Sequence, residues 1–189
     1  MPVFFAALTL VSLPVVVVGG GAVAARKVTV LRRAGAMVRI VAPDVTPGIR
    51  ALARRRRLRW TRSPYRPACL QGAWLVIAAT SDSTTNARIA RDAARRRLFA
   101  NVADDPDAGT VLLPAVVRRG PIQVAVSTGG ESPALAALLR DRIGTLITRA
   151  DADQARLIGT VRRRLRTAVP DPRERRRRLA RLLRAAGLR

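Results

Sequence analysis

A glycine turn between a predicted strand and a predicted helix is the clearest candidate for chemistry in this chain. Gly19-x-Gly21-x-x-Ala24 follows the apolar run at residues 15–18 and opens an apolar helical period. Gly19 allows a tight turn, Gly21 lets the backbone approach a pyrophosphate, and Ala24 keeps the helix close to its strand. The N–H groups and the dipole of the helix N-terminus favour phosphate charge. We therefore predict a dinucleotide-binding turn.

Two adjacent carboxylates, Asp104 and Asp105, follow a short apolar strand that ends near Val102. The carboxyl ends of parallel strands share one edge of a sheet, so these side chains would face the mouth of the same cleft. The chain has no histidine, which leaves carboxylates as the best general acid or base candidates. An ordinary turn formed by Asp105 and Pro106 is the alternative interpretation.

A second glycine-rich turn spans residues 127–133, with the sequence Ser-Thr-Gly-Gly-Glu-Ser-Pro. Ser132 is a typical N-cap and Pro133 a typical first helical residue. The backbone N–H groups there, together with Ser127, Thr128 and Ser132, suit a carboxylate or phosphate ligand. A capped helix start without a ligand is the alternative, and both interpretations can hold together.

The end of the second predicted strand is where a nucleotide-binding sheet often carries an acid for the ribose. Ala42 occupies that place, and Asp44 follows two residues later. Asp44 could reach the ribose, or it could cap a helix that begins near Thr46 and Pro47. We expect NAD rather than NADP as the cofactor.

The net charge of +24 arises from 36 basic and 12 acidic residues. Such a field attracts polyanions, which include nucleic acid, an anionic membrane or a substrate with many carboxylates. A solvated arginine-rich surface without a partner is the alternative for most individual arginines. The basic runs lack interleaved aromatic side chains for base stacking, so we expect no specific nucleic-acid partner.

The first charged side chain is Arg26, and an uncharged start of this length suggests a membrane span or a secretion signal. No basic segment precedes the apolar stretch, and Pro14 and the glycines at 19–21 interrupt it. A buried parallel strand is also a continuous apolar run. Cys69 is the only cysteine, which suits a reducing compartment. We expect a cytoplasmic protein with no membrane partner.

Strands and helices alternate along the first hundred residues, which predicts a Rossmann-like parallel sheet with helices on both faces. The fold class is thus α/β. A β-hairpin and a helix follow it, and the remainder is helical and basic. The predicted strands are 13–18, 37–42, 58–61, 74–80, 98–102, 111–118 and 122–127, and the predicted helices are 22–34, 46–56, 82–97 and 132–147.

The motifs, in this order, resemble the precorrin-2 dehydrogenase and sirohydrochlorin ferrochelatase family, the amino-terminal module of siroheme synthase. The resemblance runs from about residue 13 to 147. The matching stretches are residues 17–27, 75–80, 101–104 and 127–133.

The resemblance implies an NAD-dependent oxidation of precorrin-2 to sirohydrochlorin, both of them tetrapyrroles. In many members ferrous iron, Fe2+, is then inserted as a substrate to give siroheme. The ring nitrogens bind that iron, so no resident metal site is expected. Members are homodimers, which predicts an NAD-binding domain at 1–106, a dimerisation segment at 107–148 and a basic helical region at 149–189.

By the same resemblance, Asp104 matches the catalytic aspartate, the expected proton acceptor. Ala22, Val23, Pro43 and Asp44 match cofactor-contact positions. Together with the residues singled out above, the expected cofactor-binding set is Gly19, Gly21, Ala22, Val23, Pro43, Asp44 and Thr80. The expected substrate-binding set is Asn101, Asp105, Ser127, Thr128, Gly129 and Ser132.

Two other functions stay open at this point. The chain could be a different small Rossmann oxidoreductase, which would bind NAD and leave precorrin-2 unchanged. It could also be a nucleotide-sensing, polyanion-binding protein that uses the arginine runs at 54–57 and 173–178.

Overall fold

The computed structural model describes residues 3–185 and residue 187. By their internal contacts they form two compact units, which divide between Leu113 and Pro114. The first unit is a parallel sheet covered by helices, and the second is a β-hairpin with helices. The predicted division into three segments stays a prediction.

The first unit contains a five-stranded parallel sheet in the order β3-β2-β1-β4-β5. This confirms the predicted fold class. The strands are β1 (Pro14–Val18), β2 (Met37–Val41), β3 (Arg59–Thr61), β4 (Leu75–Ala78) and β5 (Phe99–Val102). The helices are α1 (Ala22–Arg33), α2 (Pro47–Arg54) and α3 (Ser83–Arg95), and the short 3₁₀ turns are Pro67–Leu70 and Pro106–Ala108.

The uncharged stretch before the glycine turn contains the central strand. β1 pairs with β2 on one side and β4 on the other, and all its valines are buried. Each buried valine contributes about 1.5–3 kcal/mol to folding, which accounts for the unbroken apolar sequence. No helix within residues 3–185 is long and apolar enough to cross a membrane.

Side chains of β1 alternate between two hydrophobic cores on opposite faces of the sheet. Val17 packs on the side of α1, where Val28 is also buried. Val16 packs on the side of α3, where Ile89 and Ala93 are buried. The sheet therefore has helices on both faces, and the carboxyl ends of its strands share one edge.

The second unit begins with the antiparallel hairpin of β6 (Ala115–Arg119) and β7 (Ile122–Val126). Its helices are α4 (Pro133–Leu146), α5 (Arg149–Ala168) and α6 (Pro172–Ala185). α4 packs on the hairpin, and α5 packs on α6. Thr148 and Asp151 form a reciprocal capping box at the start of α5.

The first strand of the hairpin begins at Ala115, whereas the sequence pattern predicted a start at Val111. Val111 instead bonds to β5: its N–H donates to the carbonyl of Ala100 at 2.9 Å, and its carbonyl accepts from Asn101 Nδ2 at 2.8 Å. These bonds use both backbone groups of Val111, which are therefore not free to extend β6.

Candidate functional site

The three glycines of the turn after β1 differ in the space around the position of a Cβ atom. Gly19 has φ +119°, and a Cβ there would lie 2.1 Å from the carbonyl oxygen of Ala79. A Cβ on Gly20 would lie 1.9 Å from the carbonyl oxygen of Asp44. A Cβ on Gly21 would meet no atom within 4 Å. Packing thus requires the first two glycines, while the third faces open space.

The N-terminus of α1 lies directly behind that open space. Gly21 is its N-cap, and the first helical hydrogen bond runs from the N–H of Ala25 to the carbonyl of Gly21. The N–H groups of Ala22, Val23 and Ala24 precede this ladder, as in every helix start. No acidic residue lies in the first turn. This arrangement fits the pyrophosphate of a dinucleotide, which needs close backbone approach and N–H donors.

The loop after β2 places Asp44 at the same edge of the sheet. Its carboxylate is exposed, and Oδ1 accepts a hydrogen bond from Arg50 at 2.6 Å. A hydrogen bond from the Val45 backbone and the pairing with Arg50 hold the pKa of Asp44 below its ordinary value. The N-cap of α2 is Thr46, so the alternative in which Asp44 caps α2 is wrong.

Pro43 contributes its backbone to this loop. Its carbonyl accepts from Arg62 Nε at 3.2 Å. This bond holds Arg62 near Asp44. The Asp44 carboxylate thus faces two guanidinium groups: Arg50 donates a hydrogen bond to it, and Arg62 acts on it through its charge.

A buried amide connects the ends of β4 and β5. Asn86, on α3, is 1% exposed. Its Oδ1 accepts from the N–H of Thr80 at 3.2 Å and from the hydroxyl of Thr80 at 2.8 Å. Its Nδ2 donates to the Thr80 carbonyl at 3.2 Å and to Asp104 Oδ1 at 2.9 Å. Both polar atoms of the amide are satisfied, as burial demands.

Sequence reasoning did not identify Asn86 as a functional residue. A signal exists, because Asn86 precedes Ile89 by three residues and so lies on the buried face of α3. A polar side chain on such a face needs a buried partner. The same contacts end the fourth strand before Thr80, which the prediction had included in it.

The adjacent carboxylates of Asp104 and Asp105 have separate partners. Asp105 Oδ1 accepts from the N–H groups of Asp107 and Ala108, and so caps the 3₁₀ turn Pro106–Ala108. Asp104 is exposed and bonds to Asn86. Asp105 therefore caps the Asp-Pro turn through Oδ1, and substrate binding by Asp105 stays a prediction. Asp104 is exposed to a ligand at this edge.

Asn101, on β5, is 5% exposed and has one polar atom without a partner. Its Nδ2 donates to the Val111 carbonyl, while its Oδ1 has no hydrogen-bond partner within residues 3–185. Thr46 Oγ1, beside the glycine turn, is also buried and unpartnered there. A buried acceptor without a donor costs about 1–3 kcal/mol. Substrate binding by Asn101 stays a prediction.

In the second unit, the hydroxyl oxygens of the 127–133 turn organise its backbone. Ser127 Oγ accepts from the N–H of Gly129 at 3.1 Å, and Thr128 Oγ1 accepts from the N–H of Ser132 at 3.0 Å. Ser132 Oγ accepts from the N–H of Leu135, so it is the N-cap of α4. This confirms the predicted helix start. The hydroxyl hydrogens can still donate to an anion, and that role stays a prediction.

Among residues 3–185 and 187, no group of three or more His, Cys, Asp or Glu side chains is placed to hold a metal ion. The candidate site consists of the glycine turn, the Asp44 loop and Asp104 with its partner Asn86. All of these elements lie in the first unit.

Residues 6–115 match the family model described as putative NAD(P)-binding, and residues 119–146 match the one described as sirohaem biosynthesis protein central. Siroheme synthase 3 of Aeromonas hydrophila is 39% identical over 170 residues, which cover 90% of this chain and 36% of that protein. Siroheme synthase of Methylobacillus flagellatus is 46% identical over 134 residues, which cover 71% of this chain and 29% of that protein. The chain spans about a third of the length of these relatives.

Among solved structures, the chain is similar to the one described as SirC, precorrin-2 dehydrogenase. The TM-score is 0.81 at 23% sequence identity, and the match covers 96% of this chain and 89% of that chain. At this identity the likeness shows a shared fold.

Proposed function

Because this chain belongs to the family described as putative NAD(P)-binding, we propose that it oxidises precorrin-2 to sirohydrochlorin with NAD. The observation that carries the proposal is Asp104, which Asn86 holds at the sheet edge that also presents Gly21 and α1. Similarity to siroheme synthases over 90% of the chain supports the choice of substrate.

The residues of the first unit suit NAD. The N–H groups of Ala22 and Val23 would bind its pyrophosphate, and the open space beside Gly21 admits it. The exposed carboxylate of Asp44 would bind a ribose hydroxyl. When bound, NAD accepts the hydride that precorrin-2 loses.

The oxidation removes a hydride and a proton from precorrin-2. Asp104 is the proposed proton acceptor, because its carboxylate is exposed at the edge and is oriented by Asn86 Nδ2. The strongly basic surface would attract the carboxylates of the tetrapyrrole. The protein's own contribution is then orientation of the substrate and removal of the proton.

The direct test is a spectrophotometric assay with precorrin-2 and NAD. We expect the wild type to form sirohydrochlorin, and Asp104→Ala to lower kcat by about 100-fold or more. Asp107→Ala is the matched control, since that exposed carboxylate lies in the same loop and belongs to none of the predicted sites, and it should stay within a few-fold of wild type. A wild-type protein that binds NAD and leaves precorrin-2 unchanged would show that it is a different small Rossmann oxidoreductase.

Insertion of ferrous iron into sirohydrochlorin stays a prediction. The iron would be a substrate bound by the ring nitrogens. Adding Fe2+ to the sirohydrochlorin formed in the same assay tests it, and the absorbance change of metal insertion must exceed that of a protein-free control.

A homodimer is also part of the proposal. Within the described part of the second unit, the buried side chains are only Ala136, Ala152 and Val169. Leu135 and Leu138 of α4 are 46% and 47% exposed. So few buried groups leave apolar surface that a second copy could cover. Light scattering should give twice the chain mass, and Leu138→Glu should yield monomers; a monomeric wild type would contradict the proposal.

We propose a cytoplasmic location, which the single cysteine supports. Cell fractionation should recover the protein with cytoplasmic markers. The alternative of a polyanion-binding protein predicts DNA binding that weakens with salt and does not respond to NAD. Comparing a DNA titration with and without NAD distinguishes the two functions.

A further inference from the structure

A cavity of about 250 Å³ lies against α3, away from the glycine turn. Its lining residues are Pro67, Arg88, Arg91, Asp92 and Arg95. Asp92 lies nine residues after the start of α3, which places it about 14 Å along the helix axis from the end that borders the cofactor site. The cavity is therefore separate from the site proposed for NAD and precorrin-2.

The helical repeat brings three arginines to this cavity. Arg88, Arg91 and Arg95 are spaced by three and four residues, so their side chains project from one side of α3. The 3₁₀ turn Pro67–Leu70 packs against α3 and supplies Pro67 as the opposite wall. Arg88 also lies over the ring of Tyr65, 6.0 Å from its centroid, which helps to fix its position.

Asp92 lies close to Arg88 and Arg95 without accepting hydrogen bonds from their side chains. It is buried, and its Oδ2 accepts a hydrogen bond from the Tyr65 hydroxyl at 3.0 Å. Arg88 Nε lies 3.9 Å from Oδ2, and Arg95 Nη1 lies 3.7 Å from Oδ1. These distances exceed those of a hydrogen bond. The contacts are thus electrostatic, and the guanidinium N–H groups stay available to another acceptor.

The charge of the lining favours an anion. Three guanidinium groups face one carboxylate, which leaves two positive charges in excess. Arg91 has no carboxylate partner within residues 3–185. Several forked guanidinium groups around one pocket match the oxygens of a phosphate group, which they bind with paired N–H donors.

We propose that this cavity binds the phosphate group of a small anion. Arg91 is the main ligand because no carboxylate in the described chain forms an ion pair with it. Arg88 and Arg95 complete the pocket. Free inorganic phosphate and a phosphomonoester have the same chemistry at this site, and the experiment below distinguishes them. The proposal does not depend on the reaction proposed above.

The test is calorimetric titration of the full chain with inorganic phosphate and, separately, with glycerol 3-phosphate. Saturating NADH is present throughout, because the N-terminus of α1 is itself an anion site. Chloride at constant ionic strength removes non-specific attraction. We expect one phosphate group per chain, and Arg91→Gln should weaken it by about tenfold or more. Arg95→Gln should weaken it too.

Arg54→Gln is the matched control, because this exposed arginine on α2 loses the same charge outside the cavity. Its dissociation constant for phosphate should stay within about twofold of the wild-type value, because the lost charge acts on the cavity only at long range. Equal affinity in the Arg91 and Arg54 variants would overturn the proposal, and so would no saturable binding to the wild type. Tighter binding of inorganic phosphate than of glycerol 3-phosphate would assign the free ion, whereas tighter binding of glycerol 3-phosphate would assign a phosphomonoester.

Discussion

Asn86 Nδ2 donates a hydrogen bond to Asp104 Oδ1 across 2.9 Å, from a helix on one face of the sheet to the end of its last strand. The same amide receives and donates bonds at Thr80, so it cannot rotate without breaking several contacts. The carboxylate at the sheet edge is therefore fixed by a buried group. This arrangement identifies Asn86 as a positioning residue for the proposed proton acceptor.

Replacing Asn86 by Ala should lower kcat for precorrin-2 oxidation by about tenfold, because Asp104 loses its only side-chain partner within the described chain. The dissociation constant for NADH, measured by fluorescence, should change by less than about threefold, since Thr80 is the one member of the expected cofactor-binding set to which Asn86 bonds within the described residues. Thr85→Ala is the control, because among the described residues its hydroxyl bonds only to Asp82. A loss of NADH binding together with activity would show general damage rather than a positioning role.

The three glycines should separate stability from binding. Gly21→Ala should leave the free energy of unfolding unchanged, because the added Cβ would meet no atom within 4 Å and φ is −78°. It should weaken NADH binding, because the Cβ would fill the space that a pyrophosphate needs. Gly20→Ala should instead destabilise the fold by about 2 kcal/mol or more, because its Cβ would overlap the Asp44 carbonyl. Urea unfolding and NADH fluorescence measure the two effects. Equal loss of stability in both variants would contradict this assignment.

Asp44 should determine the preference between NADH and NADPH. In Asp44→Ala, Arg50 loses its carboxylate partner and Arg62 loses the negative charge that it faces, so both can bind a ribose phosphate. We expect NADH to bind about tenfold more weakly and NADPH more tightly, as measured by fluorescence titration. Asp107→Ala, which removes an exposed carboxylate elsewhere in this unit, should change neither. Parallel weakening of both cofactors would contradict the prediction.

Because of Tyr65, the free energy of unfolding should decrease at alkaline pH. Burial, followed by its hydrogen bond to Asp92, raises the pKa of Tyr65 above the ordinary value of about 10. The folded state therefore holds the phenolic proton more tightly than the unfolded state. This contribution to stability is complete below about pH 10 and is lost as the pH rises towards the folded pKa.

Tyr65 is the only tyrosine, so absorbance of the phenolate reports it directly. Its titration midpoint should lie above that of the urea-unfolded chain, and Asp92→Asn should lower it. Tyr65→Phe should cost about 1 kcal/mol near neutral pH and should lessen the alkaline decline in urea stability. A folded midpoint at or below the unfolded one would contradict the prediction.

Most of the fold could be predicted because its signals are local. The buried valines of β1, the positive φ required at Gly19 and the capped start of α4 at Ser132 each follow from neighbouring residues in the sequence. Strand and helix ends were less certain. Val111 left the predicted hairpin because its hydrogen-bond partners, Ala100 and Asn101, lie on another strand.

By itself, the sequence determined the parallel sheet, the nucleotide turn and the presence of two adjacent carboxylates. Only the tertiary structure decided what each carboxylate contacts, because Asp105 accepts hydrogen bonds from its own turn while Asp104 meets Asn86 from α3. It also decided that Gly20 is required, through the approach of Asp44. Periodicity reports which face of an element is buried, but these contacts join residues 18 and 24 positions apart, whose distance only the packing of elements sets.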